Sequence, residues 1–243
     1  MKYLFLVLLF ASTAAQAESL SATVYGASNY IYRGVSFSSN NQPYASQGQP
    51  VLQGSLDYLG DQGFSASLFT GNVDSFNKDT LSFEKDQEVD VFLSYLKPWT
   101  EDLVTSVGVN RFQFLKNSSA SMNEIAASVS YKMAKLDISH SPNYSNIDSS
   151  LTYAKISSKI PLTNNFLALA HLGYSAFSSG PLVDSDLNYL DYRLGVGIVD
   201  KDFSLEISYT NTLNRKDAFS RQVENKDQSM SINFSKTFGI FSK

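Results

Sequence analysis

The side chains of this 243-residue chain that could do chemistry are few and dispersed. It has two histidines, His140 and His171, and no cysteine. A zinc site of imidazole and thiolate therefore lacks its parts, as do a thiol nucleophile and a disulfide framework. His140 stands between Ser139 and Ser141 in DISHSPNY. In an extended chain neighbours point to opposite faces, so neither serine reaches its imidazole, and no G-x-S-x-G elbow occurs. An outer-membrane lipase using His140 near the rim is therefore a lesser alternative, and neither an enzyme, a metal nor a cofactor is expected. What remains are isolated charged and amide side chains set in alternating runs. Arg33 is the plainest example, alone in the aromatic and β-branched stretch YIYRGVSF, 30–37. Such a residue needs a wet surrounding, and the elements around it decide whether that is bulk water or an enclosed lumen.

The chain opens MKYLFLVLLFASTAAQA, with Lys2, an apolar core and the small-x-small ending Ala15-Gln16-Ala17. These are the three parts of a secretory signal peptide, so residues 1–17 read as a leader and 18–243 as one exported domain. Past it no run approaches the 18 or so apolar residues of a membrane helix. A formal net charge of −4 and the lack of a Lys/Arg cluster argue against a nucleic-acid partner.

The rest divides into about twelve extended segments, at 20–34, 48–59, 63–73, 87–97, 102–114, 122–132, 134–143, 147–160, 164–177, 188–200, 202–212 and 227–238. In EVDVFLSY, Val89, Val91, Leu93 and Tyr95 share one face while Glu88, Asp90, Phe92 and Ser94 share the other. DYRLGVGI and FSLEISYT repeat this alternation. Short joins, such as Gly60–Gln62 and Asp200–Lys201, alternate with longer polar ones at 35–47, 74–86, 115–121, 178–187 and 213–226, the join at 144–146 being out of step. Hairpins running up and down a closed barrel sort their loops by rim in this way. The fold expected is all-β, a transmembrane antiparallel up-and-down β-barrel. A soluble secreted ligand carrier would instead have to bury the apolar face on a second layer.

Taking Tyr30 and Tyr32 as facing lipid places Arg33 and Asn29 in the lumen. The same alternation adds Gln53 and Asp57, then Glu88 and Asp90, then Glu124, and Asp137 with His171 on later strands. Asp191, Arg193 and Glu206 complete the candidate lining. In LTYAKISSKI, Leu151 and Tyr153 read as outward, which would put Lys155 in lipid as well. A β-bulge near Ala154 would return Lys155 inward and turn Ile156 and Ile160 out. The final strand, SMSINFSKTFGIFSK, offers Phe238 or Phe241 as an aromatic signal to the barrel assembly machinery.

NYIYRGVSF, PVLQGSLDY, GFSASLFTGNVD, EVDVFLSY, LALAHLGYSAF, YLDYRLGVGI and SINFSKTF, in this order, resemble the TorF family of porin-like proteobacterial proteins, whose conserved domain has no known function. The resemblance runs over almost the whole mature chain. It implies an outer-membrane barrel with no defined substrate and no catalytic residues to carry over.

The functional expectation is passive diffusion of small hydrophilic solutes across the outer membrane of a Gram-negative bacterium, with outer-membrane lipids as surroundings. Acidic residues outnumber basic ones in the candidate lining, which favours cations. The alternative is a non-conducting barrel acting through its surface loops, and the loop 35–47 could fold inward and plug the lumen.

Overall fold

The computed structural model of the protein describes residues 17–38, 48–77, 82–146, 149–178, 187–215 and 228–242. The chain enters on β1 (Ala17–Ala27), makes a small inner pair, β2 (Ile31–Tyr32) and β3 (Val35–Ser36), and returns on β4 (Val51–Gly60). There follow β5 (Phe64–Asn77), β6 (Ser82–Pro98), β7 (Leu103–Phe114), β8 (Met122–Tyr131) and β9 (Ala134–Ser141). Then come β10 (Leu151–Pro161), β11 (Phe166–Phe177), β12 (Tyr189–Asp200), β13 (Phe203–Leu213) and β14 (Ser229–Ser242). All except β2 and β3 form one closed antiparallel barrel, each strand paired with its chain neighbour and β14 closing on β1. Closure leaves no edge N–H or C=O to be stranded in lipid. The leader read over 1–17 lies outside the described residues, save that Ala17 opens β1.

Alternation explains why these residues make this shape. On the outer face Leu52, Val107, Ile125, Leu172, Leu194 and Ile232 are each at least half exposed, forming an apolar band that water covers poorly and lipid covers well. On the inner face their neighbours are serines, threonines, glycines and charged groups. Inward serines couple strand to strand, as Ser65 with Ser94 (2.6 Å), Ser106 with Ser128 (2.7 Å) and Ser204 with Ser235 (2.7 Å). β5 and β6, at 14 and 17 residues, exceed the roughly 9–11 that cross a hydrocarbon core. Near the long-loop rim their outer side turns polar, with Gln87 donating to Thr70 (2.7 Å) and Asn72 accepting from the Leu52 N–H (2.8 Å).

The loops sort by rim. Residues 61–63, 99–102, 132–133, 162–165 and 201–202 join strands at the rim that also holds both chain ends, and the connections at the other rim are longer except at 78–81, where β5 and β6 run on through most of the loop expected over 74–86. The apparent exception at 144–146 disappears, because β9 stops at Ser141 and β10 starts at Leu151, leaving a join of ordinary length for that rim. Residues 39–47, 78–81, 147–148, 179–186 and 216–227 of these connections lie outside the described residues.

Three expectations are corrected. The first barrel strand ends at Ala27 and does not run on to 34. Tyr30 and Tyr32 do not face lipid; both line a cavity inside the barrel. Lys155 is inside and Ile156 and Ile160 are outside, but β10 carries no bulge, its register running unbroken against both neighbours. Leu151 and Tyr153 are instead the residues read on the wrong side: they are buried inside with Lys155, where inner side chains pack on them as well as lipid would.

Candidate functional site

Residues 28–38 leave the wall and cross the lumen as a strap. Its root is tied to β14: the Ser28 N–H donates to the Ile232 carbonyl and the Ile232 N–H to Ser28 Oγ, both at 2.9 Å. Asn29, buried, holds both arms, since its Nδ2 donates to Ser229 Oγ (2.7 Å) while its Oδ1 accepts from Ser36 Oγ (2.6 Å) and Ser38 Oγ (2.9 Å). The tip is a two-residue turn. Tyr32 pairs with Val35, and Arg33 and Gly34 between them have φ of 52° and 79°, the double left-handed geometry of a tight hairpin. Glycine is required at the second position on two counts. Besides its φ, a Cβ there would stand 2.5 Å from Asp191 Cβ and 2.8 Å from Thr212 Cγ2.

Arg33 carries the tip to the far wall. Its Nη2 donates to Glu124 Oε1 on β8 (2.6 Å) and Ser139 Oγ on β9 (2.9 Å). Its guanidinium lies over the rings of Tyr32 (4.7 Å) and Tyr153 (4.9 Å). The Tyr189 hydroxyl on β12 donates to its carbonyl (3.0 Å). In the ring of twelve, β9 stands opposite β1, so the strap spans a full diameter. Arg33 is buried with Glu124 as its ion-pair partner, and a guanidinium does not give up its proton in a protein. The tip therefore stays cationic. Under the strap an aromatic group fills the wall, Phe112 meeting Tyr32 (5.8 Å) and Phe92 (5.7 Å).

Below the strap the lumen is a chamber of connected cavities. A cavity of about 650 Å³ runs beneath the strap from Tyr25 and Gln53 to Asp90, Lys155 and Arg193. One of about 470 Å³ continues past Lys159 and His171 to the rim turn at Lys132 and Met133. A third, about 340 Å³, lies against β13 and β14 beside Glu206 and Asn233.

The residues singled out from the sequence fall as follows. Asn29 and Arg33 sit inside the barrel, but on the strap and not on a wall strand. Gln53 and Asp57 point inward, Asp57 accepting from Ser55 Oγ (2.6 Å) and Ser67 Oγ (2.5 Å). Glu88 and Asp90 are buried on the inner face of β6, with Glu88 Oε2 and Asp90 Oδ1 unpartnered. Glu124 is taken up by Arg33. Asp137 holds Lys135 (2.6 Å) and Lys155 (3.5 Å). His171 Nε2 and Asp191 Oδ1 are 2.5 Å apart, and Tyr153 donates to the same oxygen (3.2 Å). Gly173 leaves the room for that cluster, for a Cβ there would collide with the Tyr153 hydroxyl. Arg193 pairs with Glu206. Phe238 lies on the outer face, and Phe241 follows an irregularity in the β1–β14 register, opposite Leu20. His140 is on the face opposite Ser139, in contact with Thr152 (2.9 Å).

Sequence reasoning missed Lys135, Lys159 and Tyr153 as inner residues, and the strap itself. The signal for the strap was Arg33-Gly34 between Ile31-Tyr32 and Val35-Ser36, a two-residue hairpin pattern. Period two ran through it unbroken and masked it.

Residues 11–238 match the profile of a family described as "Bacterial protein of unknown function (Gcw_chp)". No curated protein matches the chain. Among solved structures, the barrel is similar to the KdgM porin, with a TM-score of 0.55 at 8% identity over 90% of this chain and 99% of that one. It is similar to the NanC porin in a rhombohedral crystal form, with a TM-score of 0.54 at 10% identity over 88% and 98%. At such identities the likeness is one of fold. The chain thus has the closed twelve-stranded barrel fold shared with porins and belongs to the Gcw_chp family of bacterial proteins of unknown function.

Proposed function

We propose that the protein is an outer-membrane porin, of the TorF porin-like kind, that admits small hydrophilic solutes by passive diffusion past an internal strap. The observation that carries this reading is a closed barrel with an apolar outer band around a polar chamber that reaches one rim. A barrel that only anchored loops would have no need of charged groups lining an interior space. The leader at 1–17 would direct export, and the chain-end rim would face the periplasm. Phe238 or Phe241 would serve recognition by the barrel assembly machinery, with outer-membrane lipids as surroundings. No catalytic role is assigned, and no nucleic acid is involved.

The strap makes the narrowest place, and beside it stand Glu88 and Asp90. A mild cation preference is assigned to that acidic wall, tempered by Lys135, Lys155 and Lys159 deeper in the chamber. Planar-bilayer conductance of the folded protein, with its reversal potential in a salt gradient, tests the reading. Discrete steps with a cation-sided reversal potential that shrinks in Glu88→Gln support it; folded protein without steps refutes it. The second reading, a barrel that does not conduct and acts through its outer loops, is favoured by one observation: the strap is latched at both ends.

A further inference from the structure

The chamber is electrically two-sided. Its β4–β8 wall carries Asp90 and, taken up by Arg33, Glu124, while its β9–β12 wall carries Lys135, Lys155, Lys159 and Arg193. On the acidic wall Asp90 is 1% exposed, lines the cavity of about 650 Å³, and leaves Oδ1 without a hydrogen-bond partner. Glu88, two residues along the same face and 4% exposed, is engaged by the Tyr30 hydroxyl of the strap. Phe69, Phe92 and Phe112 line the same cavity beside Asp90. Among the described residues no three His, Asp or Glu side chains are grouped to hold a metal ion. A carboxylate backed by ring faces suits an ammonium group, which takes an ion pair from one and a cation–π contact from the other.

The opposite wall has the complementary surplus. Lys135 and Lys155 share the single carboxylate of Asp137, Arg193 is matched by Glu206, and Lys159 lines the chamber with no ion pair among the described residues. Two cations on one carboxylate, with a third lysine beyond, suit a carboxylate ligand. A simple cation is drawn to Asp90 but repelled by the lysines across the chamber, and a simple anion meets the reverse. A molecule bearing both charges satisfies both walls, and Asp90 and Lys155 line one and the same cavity.

We infer that the chamber below the strap binds a small zwitterion, its ammonium end at Asp90 and its carboxylate end at Lys155 and Lys159. The inference rests on the channel reading for how the solute arrives, not for whether it binds. The test is calorimetric titration of detergent-solubilised protein, folded by unboiled-gel mobility, with ω-amino acids of increasing chain length and with butylamine and butyrate as single-charge controls. The best ω-amino acid should bind at least about tenfold more tightly than either control. Asp90→Asn and Lys155→Met should each remove that advantage, with Asp90→Ser and Lys159→Met as substitutes should either variant fail to fold. Butylamine binding as tightly as the ω-amino acid, unaffected by Lys155→Met, overturns the inference in favour of a plain cation site. Absence of binding by folded protein overturns it outright. Conductance on the same preparation separates the two ideas: steps without binding sink this inference alone, and binding without steps sinks the channel alone.

Discussion

Replacing Glu124 by glutamine should release the strap. In the native protein the Arg33 and Glu124 side chains are 5% and 2% exposed and 2.6 Å apart, so the pair is desolvated, and removing one partner of such a pair costs about 3–5 kcal/mol. Glutamine keeps a hydrogen-bond acceptor, and Ser139 and the rings of Tyr32 and Tyr153 remain, which points to the lower end. About 3 kcal/mol raises the undocked-to-docked ratio by roughly a hundredfold. The barrel walls do not depend on this contact and should stay folded. The absence of native cysteine provides the assay. Ile31→Cys puts one thiol on the strap, facing the chamber, and a polymer-linked maleimide too bulky for the lumen reacts with it only when the strap swings out. Its labelling rate should rise steeply in the Glu124→Gln background, while a control cysteine at the exposed Ser119 labels equally in both. Equal rates at position 31 in the two backgrounds would refute the latch.

Gly34→Ala should loosen the strap without touching a charge, because the φ of 79° costs an L-residue about 1–2 kcal/mol and the new Cβ would collide with Asp191; the same labelling assay reads it. Ile156→Lys, on the lipid face in the middle of β10, should destabilise the barrel by roughly 2–4 kcal/mol in urea unfolding from lipid vesicles, whereas Ser157→Lys, which points into the chamber, should cost far less. The native protein should fractionate with the outer membrane and migrate differently on gels before and after boiling; recovery as a detergent-free soluble monomer would contradict the barrel assignment. A tag inserted near Asn77 or Lys216 should be detected on intact cells and one near Gln62 should not, and the reverse would invert the orientation.

The wall was legible in the sequence because each strand is wet on one side and greasy on the other. EVDVFLSY and FSLEISYT sit as their alternation requires, Val91 and Ile207 outside, Asp90 and Glu206 inside. Alternation fixes which residues share a face, but not which face is the lumen when both are apolar. This is why Leu151 and Tyr153 were read outward: the inner wall under the strap is itself hydrophobic, with Phe92 and Phe112 opposite. Lys155 sets the inner face for the whole of β10, which runs without a bulge. The strap was illegible for a related reason. An inward hairpin of alternating residues has the same pattern as a wall strand, and only the dipeptide Arg33-Gly34 records the reversal, with arginine an unusual occupant of its left-handed position. Pairings such as Arg33 with Glu124 join residues far apart in the chain and come only with the closed barrel.

The central claim is that the barrel conducts and that the strap limits it. Single-channel recording of the wild type beside a variant in which residues 29–37 are replaced by a short Gly-Ser linker, both checked as folded by unboiled-gel mobility, tests it most directly. The account predicts discrete steps from both proteins, with a markedly larger unit conductance and weaker ion preference once the strap is gone. Folded proteins that give no steps with or without the strap would contradict the channel, and steps of identical size from the two would contradict the strap as its constriction.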